Sequence, residues 1–327
     1  MSKTYQLCGL ASAIVDILVK VPEEFLERFD CTKGGMVLVE QASQSRLIEE
    51  LSAFSPEIVS GGSVANSLVA FTQIGGAASF ITAIGEDSLG RVFKSEFDQL
   101  RIEIANPLLA EKSTGSCVVM ITPDAERTMR TCLAVNSEIS RNSVNHAAIA
   151  DSELLFIEGY LIASEKGKET ISHAIQLAKE NKTKIALTLS DAFIVNLFKD
   201  YIFEILPSLN YVFANHIEVQ SLFPEISFEA AREKLADLVP NVLVTAGAEG
   251  AYYLKEGHEL HVPAFKCEPV DLTGAGDMFA GAMLYGILNK KDPINTMQAA
   301  CFLASKVICK VGARLENTLD YYNEIIK

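Results

Sequence analysis

From about residue 150 onward, short apolar runs alternate with segments in which apolar residues return every three or four positions. The interiors of Glu153–Glu158 and Val242–Thr245 are apolar at every position, as a strand reads when both faces of its sheet are covered. Segments between such runs, Gly167–Glu180 among them, keep one apolar stripe, the pattern of a helix packed on that sheet. The candidate strands are Gln6–Leu10, Ile17–Val21, Ala78–Ile84, Cys117–Thr122, Glu153–Glu158, Lys184–Leu189, Tyr211–Ala214 and Val242–Thr245. The candidate helices include Ala42–Ala53, Leu89–Gln99, Gly167–Glu180, Phe228–Leu238 and Gly276–Leu288. This order predicts an α/β fold with a parallel sheet. Between 100 and 135 the pattern breaks into shorter segments with turns, one at Thr122-Pro123-Asp124. That excursion, together with Ile14–Val39, predicts a small β lid over the main sheet. No repeat or low-complexity linker interrupts the 327 residues, so a single domain carrying a lid is expected.

Composition narrows the partners. Hydrophobic residues make up 49% of the chain and charged residues 21%, which suits a buried core and excludes a disordered chain. Lys plus Arg number 28 against 42 for Asp plus Glu, a net charge of −14. So acidic a surface repels phosphate backbones and anionic lipid, which argues against nucleic-acid and membrane partners. A small anionic ligand in an amide-lined pocket remains compatible. The seven cysteines (Cys8, Cys31, Cys117, Cys132, Cys267, Cys301 and Cys309) form no CxxC pair and read as small core residues. No stretch reaches the roughly 18 apolar residues of a spanning helix. A soluble, cytoplasmic protein is expected.

Chemistry concentrates in a few segments. Asp271-Leu-Thr-Gly-Ala-Gly-Asp277 runs directly into an apolar helix. The first turn of a helix has unpaired N–H groups and partial positive charge, and glycines let an anion approach them. Asp277, at the start of the helix, would face an anion bound there and suits a general base beside a transferring phosphoryl group. Read blandly, Asp277 is a favourable first-turn acid and the glycines serve helix packing. A second segment, Val59-Ser-Gly61-Gly62-Ser63-Val-Ala-Asn66, leads into a helix with apolar Val64, Leu68, Phe71 and Ile74, stopped at Gly75-Gly76. Its glycines can bring backbone close to a ligand, with Asn66 offering donor and acceptor to hydroxyls. Alternatively Ser63 is an N-cap and Asn66 a solvated polar residue.

Asp16 lies in an apolar run, either paired or ligand-facing, or in an exposed turn. Asn215-His-Ile-Glu218 forms a helix cap, or sits at the sheet's carboxyl edge to bind nucleotide phosphate or a metal's water shell. There is no G-x-x-x-x-G-K-[ST] loop, no G-x-G-x-x-G opening a helix after the first strand, and no G-x-S-x-G elbow.

In chain order these segments resemble the PfkB (ribokinase-like) family of carbohydrate and nucleoside kinases. Residues 61–66 resemble the family's N-terminal signature and Asp271–Asp277 its C-terminal D-T-T-G-A-G-D signature. Asn215–Glu218 matches N-x-x-E, and Val244-Thr-Ala-Gly247-Ala-Glu-Gly250-Ala matches the nucleotide-loop segment. The resemblance implies a ribokinase-like three-layer sandwich with a mostly parallel central sheet and a small β lid. It implies ATP and Mg²⁺, with phosphoryl transfer to a primary hydroxyl of a nucleoside or sugar. By carry-over, Asp277 is the base and the amides of Gly274, Ala275 and Gly276 form the anion hole. Asp16, Gly61, Gly62 and Asn66 hold the acceptor. Asn215, Glu218, Thr245, Gly247 and Gly250 serve the nucleotide, with Glu218 reaching Mg²⁺ through water. Asp271 matches a position used for a monovalent cation such as K⁺.

Gly9, Ala13 to Asp16, Lys33-Gly-Gly-Met36, Arg127-Thr-Met129, Glu158-Gly-Tyr160 and Thr188-Leu-Ser-Asp191 look most like bacterial adenosine-kinase-like members, which makes adenosine the expected acceptor. A sugar such as ribose or fructose is the alternative, and a non-catalytic nucleoside or sugar sensor on the same fold is a rival of another class. Three departures, Ser12, Val64 and Leu272, bear on acceptor identity. Phe156, Tyr160 and Phe193 are the candidates to stack on a base. An exposed lid edge offers a route to a homodimer by strand pairing.

Overall fold

A computed structural model of the chain describes residues 3–29, 31–124 and 126–326. Its strands in chain order are β1 (Tyr5–Leu10), β2 (Ile14–Lys20), β3 (Met36–Leu38), β4 (Glu57–Gly61), β5 (Ala78–Ile81), β6 (Glu103–Ile104) and β7 (Gly115–Ile121). Then come β8 (Arg127–Cys132), β9 (Ser152–Glu158), β10 (Lys184–Thr188), β11 (Tyr211–Asn215), β12 (Asn241–Thr245), β13 (Ala251–Lys255) and β14 (His258–Val262). A large sheet has the order β14-β13-β12-β11-β10-β9-β1-β5-β6, and a smaller one the order β3-β8-β7-β2-β4. Within the large sheet only the β12–β13 and β13–β14 pairs are antiparallel.

The apolar runs end up here because both faces are covered. Leu154 and Phe156 of β9 face the layer built by the Ser63–Gln73, Ala275–Leu288 and Pro293–Val307 helices. Leu155 and Ile157 face the opposite layer, with the Glu165–Glu180, Ala192–Ile205 and Phe228–Leu238 helices. All four side chains are fully buried, together an upper estimate of roughly 6–12 kcal/mol of transfer free energy. The result is a three-layer α/β sandwich with a mostly parallel sheet.

The small sheet is built differently. Its outer face packs Ile17, Val19, Val118 and Met120 against Phe25, Leu47 and Leu51 of the Glu23–Arg28 and Gln41–Leu51 helices. On the other face, strand register sets Asp16, Cys117, Thr131 and Leu38 side by side across β2, β7, β8 and β3. The next row is Leu18, Val119, Met129 and Met36. β4 joins this sheet from outside the expected lid segments, filling the free edge of β2, whereas β6 adds to the large sheet. The predicted strands omit β8 and β14, whose residues are mostly polar, the edge-side β13, and the short β3 and β6.

Candidate active site

Strand order in the large sheet reverses between β1 and β9, and the crevice at the carboxyl ends of such strands is where open α/β sheets bind ligands. Ser12, just past β1, donates its backbone N–H to Glu158 Oε2 at the end of β9, at 3.0 Å. Glu158 is buried, which pushes its carboxyl up to about 7 although the Ser12 N–H pulls the other way. Asn136 clamps the next residue, accepting from Ala13 N at 3.1 Å and donating to Ala13 O at 2.7 Å. The chain then enters the lid as β2, carrying Asp16.

Asp16 lies on a strand and not in an exposed turn. Among the described residues, no group donates a hydrogen bond to its carboxylate, although Arg314 and Arg127 face it electrostatically. Burial pushes it up to about 6, the two arginines oppose that rise, and Asp277 adds to it. Gly61 on β4 has to lack a side chain, since a Cβ there would collide with the Asp16 carboxylate. Gly62 is the N-cap of the Ser63–Gln73 helix, whose end falls at Gly75 with φ +111°.

Two residues of that helix meet Asp277. Ser63 Oγ donates to Asp277 Oδ1 at 2.7 Å and Asn66 Nδ2 donates to Oδ2 at 3.0 Å. Ser63 is thus not a side-chain cap, and Asn66 is buried instead of solvated. Burial pushes the Asp277 carboxyl up to about 6, against the pull of Asn66, Ser63 and Arg314. The Ala275–Leu288 helix starts on Gly274, whose φ of +80° and approach to Ala313 leave no room for a Cβ. Ala275 N turns back to Leu272 O at 3.4 Å, while the amides of Gly274, Gly276 and Asp277 have no partner among the described residues. Gly276 borders open space, which makes this turn an accessible anion cradle.

Further along the sheet edge, Asn215 and Thr245 are register neighbours at the ends of β11 and β12. Asn215 Oδ1 accepts from Glu218 N at 2.9 Å, while Asn215 N and Nδ2 donate to the two Glu218 oxygens at 2.9 and 2.7 Å. Both oxygens of this buried carboxyl are therefore engaged in capping the His216–Leu222 helix. Burial pushes it up to about 7, with Asp191 and Asp277 adding to the rise. Gly247 and Gly250 shape the turn between β12 and β13.

Asp271 does not fit a monovalent-cation site. Its Oδ1 accepts from Thr273 N at 3.1 Å and Thr273 Oγ1 at 2.7 Å, and its Oδ2 accepts from Gly312 N at 2.8 Å. Arg127 reaches down from the lid, with Nη2 at 2.8 Å from Oδ2, close in distance though not aligned as a hydrogen bond. Arg127 Nη1 donates to Thr273 Oγ1. The guanidinium already supplies the positive charge. Of the three stacking candidates, Phe156 is excluded because it packs on Phe213 inside the core, whereas Tyr160 and Phe193 are 39% and 63% exposed.

A family model, the pfkB family carbohydrate kinases, matches residues 41–319. The chain belongs to the PfkB family. It is a phosphotransferase with a hydroxyl acceptor, of the kind that acts on a nucleoside or sugar. This PfkB kinase is 24% identical to adenosine kinase 2 of Arabidopsis thaliana over 96% of this chain and 97% of that protein. It is 26% identical to ribokinase of Haemophilus influenzae over 81% of this chain and 86% of that one. The structure of adenosine kinase from Sinorhizobium meliloti matches with a TM-score of 0.88 and 27% identity, covering 98% and 99% of the two chains. The sandwich is thus ribokinase-like. No helix among the described residues is long and apolar enough to cross a membrane.

Sequence reasoning missed Ser63 and Arg314 as site residues. Ser63 carried a signal, since a hydroxyl beside two glycines opens a helix, but that signal read equally as a cap. Arg314 sits in no motif.

Proposed function

We propose that this kinase transfers the γ-phosphoryl group of MgATP to the primary hydroxyl of a nucleoside, with adenosine the first candidate. The observation that carries the transfer chemistry is Asp277 held by Ser63 and Asn66 beside the unpaired N–H groups of Gly274, Gly276 and Asp277. Asp277 takes the proton as the hydroxyl attacks. A carboxyl raised to about 6 stays mostly ionised at neutral pH while being a better base than an ordinary Asp near 4. The amides stabilise charge on the transferring group, each such donor contributing about 3 kcal/mol.

Each oxygen of Glu218 accepts one hydrogen bond from Asn215, which leaves lone pairs to accept from a water of a metal's shell. Glu218 would hold Mg²⁺ through water when MgATP binds, and the metal would supply neutralisation of phosphate charge. Asn215, Thr245, Gly247 and Gly250 line the sheet edge proposed for the nucleotide.

The lid favours a nucleoside over a bare sugar. Asp16, with no donor to its carboxylate among the described residues, would accept from ribose hydroxyls, and the same lid face continues through Cys117 and Thr131 to Leu38. Leu38 and Met36 are 59% and 49% exposed, apolar surface suited to a flat base and wasted on a hexose. ADP release from MgATP with adenosine, other nucleosides, ribose and fructose tests this. Turnover on adenosine alone is expected; turnover on a sugar alone would keep the mechanism and overturn the acceptor.

A further inference from the structure

Behind the acceptor site lies a buried arginine with no role in the chemistry described so far. Arg314 follows the Pro293–Val307 helix and is far in sequence from its partners. Its Nε donates to Asn66 Oδ1 at 2.8 Å, its Nη1 donates to Glu96 Oε1, and its buried Nη2 has no partner among the described residues. Asn66 in turn donates to Asp277. A continuous path therefore runs from Glu96 through Arg314 and Asn66 to Asp277.

A carboxamide has two ends of nearly equal shape that differ in chemistry: one accepts, the other donates. Arginine carries five N–H donors and no acceptor, so the end of Asn66 facing Arg314 has to be its oxygen. The NH₂ end is thereby aimed at Asp277, whose ionised carboxylate only accepts. We propose that Arg314 is a positioning residue for phosphoryl transfer, fixing the Asn66 amide so that an N–H meets Asp277 and keeps it the ionised base. Without Arg314 the amide is free to present its oxygen, a contact Asp277 accommodates only by keeping its proton.

Charge works in the same direction. The titratable groups facing Asp277 from the surrounding elements are Asp16 on β2, Glu158 at the end of β9, Tyr160 just after it, and Glu218 in the His216–Leu222 helix. The three carboxyls disfavour a further negative charge when ionised, while Tyr160, its phenol pushed up by burial, stays neutral. Arg314 is the cation that opposes them at both Asp277 and Asp16.

The inference rests on reading Asp277 as the base, and two readouts separate the failure of one from the failure of the other. The first is the pH profile of kcat/KM for the wild type, Arg314→Met and Arg314→Lys, the last also in an Asn66→Ala background. In Arg314→Met the acidic limb is expected to move up by about one pH unit, so activity near pH 6 falls about fivefold, approaches a tenfold loss below pH 5, and recovers by pH 9. KM for MgATP stays within about twofold. Arg314→Lys keeps the charge but cannot span both Asn66 and Glu96, so it shifts the limb less, and that shift disappears once Asn66 is Ala. An acidic limb unmoved in folded Arg314→Met overturns the proposal, as does an Arg314→Lys shift of equal size without Asn66. If Arg314→Met does not fold, the lysine pair decides. The second readout is the carboxyl-carbon NMR titration of Asp277, assigned with Asp277→Asn. Should the wild type turn over no acceptor, the base reading falls, while a titration raised in Arg314→Lys still supports the positioning role and an unmoved one rejects it.

Discussion

The two ends of the crevice are made from different materials. At the end proposed for the acceptor, side chains far apart in sequence converge: Ser63 and Asn66 meet Asp277 across 214 and 211 residues, and Arg314 meets Asn66 across 248. At the end proposed for the nucleotide the side-chain contact is local, between Asn215 and Glu218 three residues apart. Long-range convergence places buried acids in an adjustable electrostatic setting. Local turns present backbone groups whose geometry hardly depends on which side chains surround them. Substitutions at the acceptor end should therefore alter chemistry and acceptor binding, while leaving nucleotide binding nearly untouched.

The strongest break in that contrast is Asp277→Asn. It removes the base and keeps the helix N-terminus, so kcat should fall at least 10²-fold while ATP affinity, measured by calorimetry, stays within a few-fold. Comparable losses in both would mean that the two ends are not separable. Asp16→Ala comes next. No described residue donates to the Asp16 carboxylate, and losing charged hydrogen bonds to two hydroxyls should weaken acceptor binding by at least about 100-fold. Unchanged acceptor affinity in a titration would remove Asp16 from the site.

The same division governs what could be read in the sequence. Asp271–Asp277 was legible because a helix start, its glycines and its acid are local features, and the helix does begin at Ala275. The central strands were legible to within a few residues because burial on both faces makes them apolar throughout. Strand β8, with Arg-Thr-Met-Arg-Thr-Cys, gives no such run, since one face looks into the crevice. Arg314 was illegible for a related reason: its meaning lies in Asn66 and Glu96, and no spacing rule reaches that far.

Acidity sharpens the contrast through stability. Asp16 and Asp277 are raised to about 6 in the folded chain, and Glu158 and Glu218 to about 7. The fold binds these protons more tightly than the unfolded chain does. The stability they contribute is fully present below the unfolded values near 4 and is lost as pH rises through 6 to 7. For Asp277 that loss is about 1–3 kcal/mol between pH 4 and 8. Thermal melts of wild type and Asp277→Asn should therefore diverge in slope, the variant losing less stability as pH rises over that window. Parallel slopes would place the Asp277 carboxyl in water and weaken the case for a buried base.

The smallest expected effect concerns the loop that joins the two ends. Asp271 lies beside the anion cradle, at the position for which the family resemblance implies a monovalent cation. Here the Arg127 guanidinium sits 2.8 Å from Oδ2, and the backbone of Gly312 and both donors of Thr273 occupy the rest of the carboxylate. A second cation would have to displace Arg127 and would meet its repulsion. Replacing K⁺ with a bulky organic cation at constant ionic strength should change kcat by less than about twofold. Arg127→Ala, which strips the carboxylate of its counter-ion, should make the loop respond to K⁺ where the wild type does not. A wild type strongly activated by K⁺ would mean that the arginine leaves Asp271 during turnover, and the lid would then have to be seen as the moving part of the site.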